Sequence, residues 1–326
     1  MRQAPQRLLL EGQKGLSTLL IAGPTASEKT ALALALAKKI RGEIISADSR
    51  QIYRGLDAGT AKPKRDADGL VEGVAYHLID AADPSESFDA GRFIRLALDA
   101  RKEILARGRR PIVAGGTGLY INALLNGLSP LPKAAPEIRE RLAVLAEKYG
   151  RAWLKEKLSA VDPKAADKIP DNNIQRMIRA LEVYELTGRT ISSFWAERPQ
   201  EGIAGQTISF FIDWPAEELR VRIAERAQTM WPAMLKEVRA LVPSRFQGTE
   251  PGFQSLGYRD AVQCVRGEID SDEGLARMIQ MTCAYAKRQR TWFRNQLCGA
   301  VRIAGSDVSQ MLSQILAHPE IGSLCA

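Results

Sequence analysis

The sequence predicts an α/β fold: a phosphate-loop (P-loop) parallel sheet with helices on both faces, plus an inserted all-helical domain. Three observations carry that prediction. An apolar run, LSTLLIAG (16–23), breaks at Gly23-Pro24 and passes into the Ala/Leu-rich ALALALAKKI (31–40), the pattern of strand, glycine turn and helix. Further short apolar runs then alternate with helical periodicity, which implies parallel strands joined by helices. Finally, the proline-rich joint Leu128-Ser129-Pro130-Leu131-Pro132 hands over to a long charged stretch with no strand pattern.

Taken in order, residues 1–15 are polar and Gly-containing and read as a loose N-terminus. GEIISADS (42–49) is a second short strand ending on Asp48 and Ser49, and AYHLID (75–80) follows a polar loop as another. Residues 89–107 have helical spacing, and PIVAGGTG (111–118) is a strand running into glycines. From 131 to 199 the pattern is helical, with 13 Lys/Arg and 10 Asp/Glu. QTISFFIDWP (206–215) restores the strand pattern, and 216–241 is helical. This divides the chain into a core of 16–130 and 200–300, an inserted helical domain of 131–199, and a C-terminal tail of 301–326. Ligands of such a sheet collect at the carboxyl ends of its strands.

Composition sets outer limits. At 45% hydrophobic and 26% charged over 326 residues, the chain is a globular protein rather than a disordered one. No apolar run reaches the ~18 residues of a membrane span, and Leu8–Leu10 is too short for a secretory leader, so no membrane partner is expected. Four dispersed cysteines (Cys264, Cys283, Cys298, Cys325) and two histidines argue against a disulfide scaffold or a Cys/His zinc site and favour a reducing cytoplasm. The net charge of +8 suggests a polyanionic partner, and 274–306 carries six Lys/Arg and no acid.

Gly23-Pro24-Thr25-Ala26-Ser27-Glu28-Lys29-Thr30 follows the template G-x-x-x-x-G-K-[ST] with one departure, Glu28 in place of the second glycine. In that template backbone amides converge on phosphate oxygens, the lysine neutralises charge, and the hydroxyl, here Thr30, coordinates magnesium (Mg2+) at a helix N-terminus. The bland reading is a helix start capped by Ser27. Three aspartates end apolar runs, Asp48, Asp80 and Asp213, so a magnesium-binding aspartate of the kinase type cannot be singled out. Asp48 reads as general base, metal ligand or helix cap, and for an isolated Asp-Ser pair the cap is the favoured reading. Ala114-Gly115-Gly116-Thr117-Gly118 reads as a second glycine turn where Thr117 can reach a ligand, or as a turn only.

With these segments in view, the chain resembles the tRNA dimethylallyltransferase (tRNA isopentenyltransferase) family. GPTAS-KT (23–30), ISADSRQIYRGLDAGTAKP (45–63), HLID (77–80), AGGTGLYINALLNGL (114–128), IQRMIRALEVYELTGR (174–189), SLGYRD (255–260) and YAKRQRTWFR (285–294) carry the resemblance, in the family's order, from about 18 to 295. It implies transfer of a dimethylallyl group from dimethylallyl diphosphate to the exocyclic N6 amine of the adenine 3′-adjacent to the tRNA anticodon. It also implies diphosphate binding by residues 23–30, a base at Asp48 and cation help at Arg226, with Arg222 a nearby candidate. For both arginines the competing reading is a solvated helix face.

The same resemblance implies tRNA contacts, to the anticodon stem-loop, from Asp48, Ser49, Arg50 and Gln51, from Thr117 and Arg139, and from Gln175, Arg176, Met177, Ile178 and Arg179. Ser255, Leu256, Gly257, Tyr258, Arg259 and Asp260 match a further tRNA-contacting segment. Lys287, Arg288, Arg290 and Arg294 interleave with Tyr285, Trp292 and Phe293, as phosphate contact and base stacking require, although the aromatics fall near helical spacing and could be core. A monomer is expected. The chain departs from the family's pattern at Glu28, at Tyr76 and Met234, where histidine and glycine are usual, and at Cys283, where a basic residue is common. Three other readings compete: an isopentenyltransferase of free adenine nucleotide, a catalytically silent tRNA-binding relative motivated by Glu28, and a phosphate-loop kinase.

Overall fold

The computed structural model describes residues 17–197 and 202–322; the N-terminal stretch 1–15 and Cys325 lie outside them. Six strands, β1 (Thr18–Ala22), β2 (Gly42–Ser46), β3 (Tyr76–His77), β4 (Arg110–Gly115), β5 (Thr207–Asp213) and β6 (Val301–Ala304), form one sheet in the order β3-β2-β4-β1-β5-β6. Every pairing is parallel. In β1, β2 and β4 every residue is buried, which is why these strands read as unbroken apolar runs rather than alternating ones. The register sets Leu20 of β1 between Val113 of β4 and Ser209 of β5.

Two compact units divide the chain. The first comprises 1–123 and 204–326, the second Leu124–Ile203. Helices α1 (Lys29–Ile40) and α2 (Ala90–Ala106) belong to the first; α3 (Gly118–Asn126) runs from the first into the second. The second is helical: α4 (Pro136–Val161), broken at Gly150 by a left-handed φ of 82°, then α5 (Pro163–Lys168), α6 (Ile174–Thr187) and α7 (Ile191–Ala196). Its core gathers Leu142, Leu154, Leu158, Met177, Ile178, Leu181 and Phe194. The first unit resumes with α8 (Ala216–Leu241), α9 (Tyr258–Val265), α10 (Ser271–Gln296) and α11 (Val308–Leu316). Asparagine and aspartate side chains cap several helices, among them Asp89 accepting from the Arg92 amide and Asp270 from the Glu273 amide.

Two expectations need correction. The strand expected over AYHLID shrinks to Tyr76–His77, because Leu78 (φ 62°) and Asp80 (φ 57°) turn left-handed and leave the ladder. Residues from 301 on are not a tail. β6 extends the sheet beside β5, and Ile303, Met311 and Ile315 are buried in the main core with Phe210 and Ile212. The apolar spacing of α11 made it a core helix, but a four-residue strand gives too little periodicity to be read from sequence.

Because Ile315 is fully buried there, Ile315→Ala should destabilise the protein by about 2–5 kcal/mol in urea unfolding, through lost burial and the cavity left behind. A dispensable tail would give no change.

Candidate active site

All strands being parallel, their carboxyl ends share one edge, and β1, β2 and β4 bring Gly23, Ala47-Asp48 and Gly115-Gly116 together there. Gly23 cannot carry a side chain: a Cβ would come to 2.8 Å from Ser27 Oγ and 3.3 Å from Ile212. Gly115 is tighter still, with the Ala47 carbonyl oxygen 2.2 Å from where a Cβ would sit. Close backbone approach, rather than a need for positive φ, explains glycine at both positions.

These ends open into a cavity of about 830 Å³. Thr25, Ala26, Ser27, Glu28, Lys29 and Thr30 line one side, and Asp48, Ser49, Arg50 and Gln51 another. Arg226 of α8, Ser255 and Leu256, and Tyr285, Arg288 and Gln289 of α10 complete it. Lys29 Nζ donates to the Pro24 carbonyl at 2.5 Å. Burial pushes its pKa down to about 8; the Asp48 carboxylate opposes that, the Arg226 charge reinforces it, and Glu28 opposes it more weakly. Arg226 is likewise lowered by burial, and its Nε meets only the Met230 sulfur, at 3.4 Å. Two desolvated cations therefore flank the cavity, an arrangement that favours an incoming anion.

The three strand-end aspartates separate cleanly. Asp80 accepts from Lys62 Nζ at 2.6 Å and lies 3.7 Å from Arg65. Asp213 takes Arg294 at 2.9 Å and Arg290 at 3.6 Å. Asp48 has no ion-pair partner among the described residues; its Oδ1 accepts only from the Arg50 amide, at 2.9 Å, and it faces the cavity. Thr117 Oγ1 accepts from the Ser49 amide at 2.9 Å and donates to the Ser49 hydroxyl at 3.3 Å, and burial pushes the pKa of Tyr285 up to about 12. Tyr76 is buried beside the cavity, and its hydroxyl is held well above the ordinary range by burial.

Several residues expected to touch tRNA are engaged in holding the protein together. Met177 and Ile178 are buried in the core of the second unit. Arg139 and Arg179 both bond the fully buried Glu182, at 2.7 and 2.8 Å, because a buried carboxylate requires paired charge; Gln175 and Arg176 of the same helix stay exposed. Tyr258 is buried, its hydroxyl donating to Glu237 Oε1 and accepting from the Gly59 amide. Asp260 is buried as well, and burial raises its carboxyl pKa, while Arg259 is exposed and Gly257 takes a left-handed turn (φ 82°). Gln51 turns inward to the Thr60 and Ala61 carbonyls. Arg290 serves Asp213, whereas Lys287 and Arg288 remain exposed. The aromatics divide: Phe293 is fully buried, Tyr285 and Trp292 half-buried.

Gln289 was not singled out from the sequence. Its amide accepts from the Thr25 amide at 2.9 Å and donates to the Gly116 carbonyl at 2.7 Å, tying the two glycine turns together. Its position among arginines hid it; the helical spacing from Tyr285 was the one available signal. Glu28 stands at φ 64°, ψ 24°, the left-handed conformation a glycine would take, with its carboxylate turned to Arg222.

Fold and site define the class first: a P-loop α/β protein with two cations and one free carboxylate facing across a cavity. A family model described as IPP transferase matches residues 51–296. A tRNA dimethylallyltransferase of Anaeromyxobacter dehalogenans is 44% identical over 287 residues, 88% of this chain and 94% of that one. The crystal structure of the tRNA isopentenylpyrophosphate transferase from Bacillus halodurans superposes with a TM-score of 0.67 at 34% identity, covering 95% of this chain and 96% of that one. A eukaryotic dimethylallyltransferase acting on tRNA gives a TM-score of 0.73 at 26% identity, over 94% and 77% of the two chains. The chain belongs to the IPP transferase family.

The lowered pKa of Lys29 gives the site a pH dependence. Its charged form is the one that would attract an anion to the cavity, and above about pH 8 the free protein loses that charge. Affinity for dimethylallyl diphosphate, measured by calorimetry, should be flat below that pH and fall by about tenfold per unit above it. Lys29→Met should bind weakly and show no such slope.

Proposed function

We propose that this protein transfers a dimethylallyl group from dimethylallyl diphosphate to N6 of the adenine 3′-adjacent to the anticodon in tRNA. The carrying observation is that Asp48, alone of the three strand-end aspartates, is free of cations and shares its cavity with Lys29, Thr30 and Arg226. The relatives named for this reaction support the reading, and the structure neighbour acting on tRNA supports the polynucleotide substrate.

The residues divide the chemistry between them. The backbone amides of residues 26–30, Lys29 and Arg226 bind the diphosphate and take up charge as it departs, the Thr25 amide being held by Gln289. The adenine N6 attacks C1 of the dimethylallyl group, a C–N bond forms, and the C–O bond breaks with its electron pair leaving on diphosphate. Asp48 accepts the N6 proton, so the amine is never left cationic. No nucleoside triphosphate is consumed. Tyr285 lines the cavity with Asp48, and its ring offers a stacking face for an adenine drawn out of its stack.

Magnesium is implied by the loop template, and the donor set fits it. Hard oxygen donors suit this ion, which usually keeps waters and binds substrate phosphates rather than a protein cage; among the described residues no group of three or more His, Cys, Asp or Glu forms such a cage. The Thr30 hydroxyl would hold it together with diphosphate oxygens. When bound, magnesium supplies positive charge to the leaving diphosphate.

Half-buried Arg50 at the cavity, exposed Arg259, Lys287 and Arg288 in the first unit, and exposed Gln175 and Arg176 in the second suit contact with the phosphate backbone. Among the described residues no helix is long and apolar enough to cross a membrane, and we place the enzyme in the cytoplasm, acting as a monomer.

The reading is tested with radiolabelled dimethylallyl diphosphate offered with tRNA or with adenosine monophosphate. Label should enter tRNA. Label in the mononucleotide instead would favour a free-nucleotide enzyme, and label in neither a silent tRNA binder. Asp48→Ala should lower single-turnover transfer by at least about 100-fold with tRNA affinity nearly unchanged, since proton removal belongs to the chemical step. Affinity for tRNA should also fall linearly in log–log terms as salt rises; an affinity indifferent to salt would rule out phosphate contact.

A further inference from the structure

Glu28 places a negative charge in a loop built to bind anions, and what the structure does with that charge is specific. Its carboxylate points out of the loop to Arg222 of α8. The same guanidinium lies 4.4 Å over the Trp214 ring, and its Nε donates to the Ala26 carbonyl at 3.0 Å. Trp214 in turn donates its ring N–H to the Ser27 carbonyl at 3.4 Å. Three consecutive loop residues are thus gripped from one side, and the two outer ones, Ala26 (φ 60°) and Glu28 (φ 64°), hold left-handed conformations that disfavour any residue with a Cβ.

Arg226 lies one helical turn beyond Arg222 and lines the cavity, whereas Arg222 does not. We propose that Arg222 is a positioning residue: it neutralises Glu28 and fixes the left-handed turns at Ala26 and Glu28, which keeps this loop able to bind diphosphate despite the missing glycine. The inference rests on the diphosphate reading of the loop. It concerns charge placement more than stability, because a half-exposed ion pair contributes little to folding. Without Arg222 the carboxylate faces the ligand unneutralised, and the Ala26 carbonyl loses its side-chain donor.

Arg222 therefore matters chiefly because Glu28 is present, a dependence a double-mutant cycle reads directly. Inorganic diphosphate binding is measured by calorimetry at low salt for the native chain, Arg222→Ala, Glu28→Gly and the double variant. Arg222→Ala should weaken binding by about tenfold or more, and by less than about threefold in the Glu28→Gly background. Arg222→Lys, which keeps the charge, should recover part of the loss, and raising the salt should shrink it. An equal loss in both backgrounds would overturn the proposal, since Arg222 would then act on ligand or scaffold without Glu28. So would the absence of any loss in the native background. The Glu28→Gly variant separates this failure from that of the substrate reading: if it binds diphosphate where the native chain does not, Arg222 does not rescue the loop and the proposal is overturned. If neither binds, the diphosphate reading of the loop falls, and the proposal with it.

Discussion

An anion-binding loop must leave its amides unspent among themselves, so something outside the loop has to hold its shape. Here the holding comes from far along the chain. Gln289 takes the Thr25 amide and returns a bond to the Gly116 carbonyl, so one buried side chain fixes the turn after β1 to the turn after β4. Trp214 and Arg222 secure Ser27, Ala26 and Glu28 on the other flank. A buried amide losing either partner would strand a donor or an acceptor, a penalty larger than the net gain from making the bond. The loop's geometry is therefore inseparable from α8 and α10, and the C-terminal part of the first unit is as much a component of the site as residues 23–30.

The electrostatics follow from that enclosure. Burial lowers both Lys29 and Arg226, each further disfavoured by another cation nearby, and the carboxylates of Asp48 and Glu28 oppose the shift. Such a cluster is uncomfortable when empty and relieved by an anion, and the low local dielectric that penalises it makes the pairing stronger than it would be in water. Glu28 is the dissonant charge in this set. Paired with Arg222 at the rim of the cavity, it sits at a helix N-terminus, where a carboxylate is electrostatically welcome.

Much of this was legible from residue order. Strand, glycine turn and helix at 16–40, the alternation that followed and the helical stretch after Pro132 all rest on local periodicity, which depends on neighbours in sequence. What periodicity cannot report is the use to which a polar side chain is put. Arg139 and Arg179 look like surface cations, yet both answer the buried charge of Glu182, one from the same helix and one from more than forty residues away. Tyr258 sits in a motif that reads as a substrate contact, but its hydroxyl and Glu237 pin the 57–59 loop that borders the cavity. Gln289 was hidden for the same reason: its partners lie more than 170 residues away.

The three aspartates that end strands show how far the argument from sequence can go and where tertiary structure must take over. Each follows an apolar run, so each is delivered to the same edge of the sheet by the same local rule. Their fates differ because cations arrive from elsewhere. Lys62, folded back under the polar loop, and Arg65 claim Asp80. Arg290 and Arg294, four residues apart on one face of α10, claim Asp213 on the strand beside β1. Around Asp48 the nearest cations are instead lining residues of the cavity, held back by burial and available to a ligand. Asp48 is thus the one strand-end aspartate of the three that keeps its carboxylate free of ion pairs among the described residues. That combination, rather than any single motif, separates a site for alkyl transfer from a generic phosphate loop.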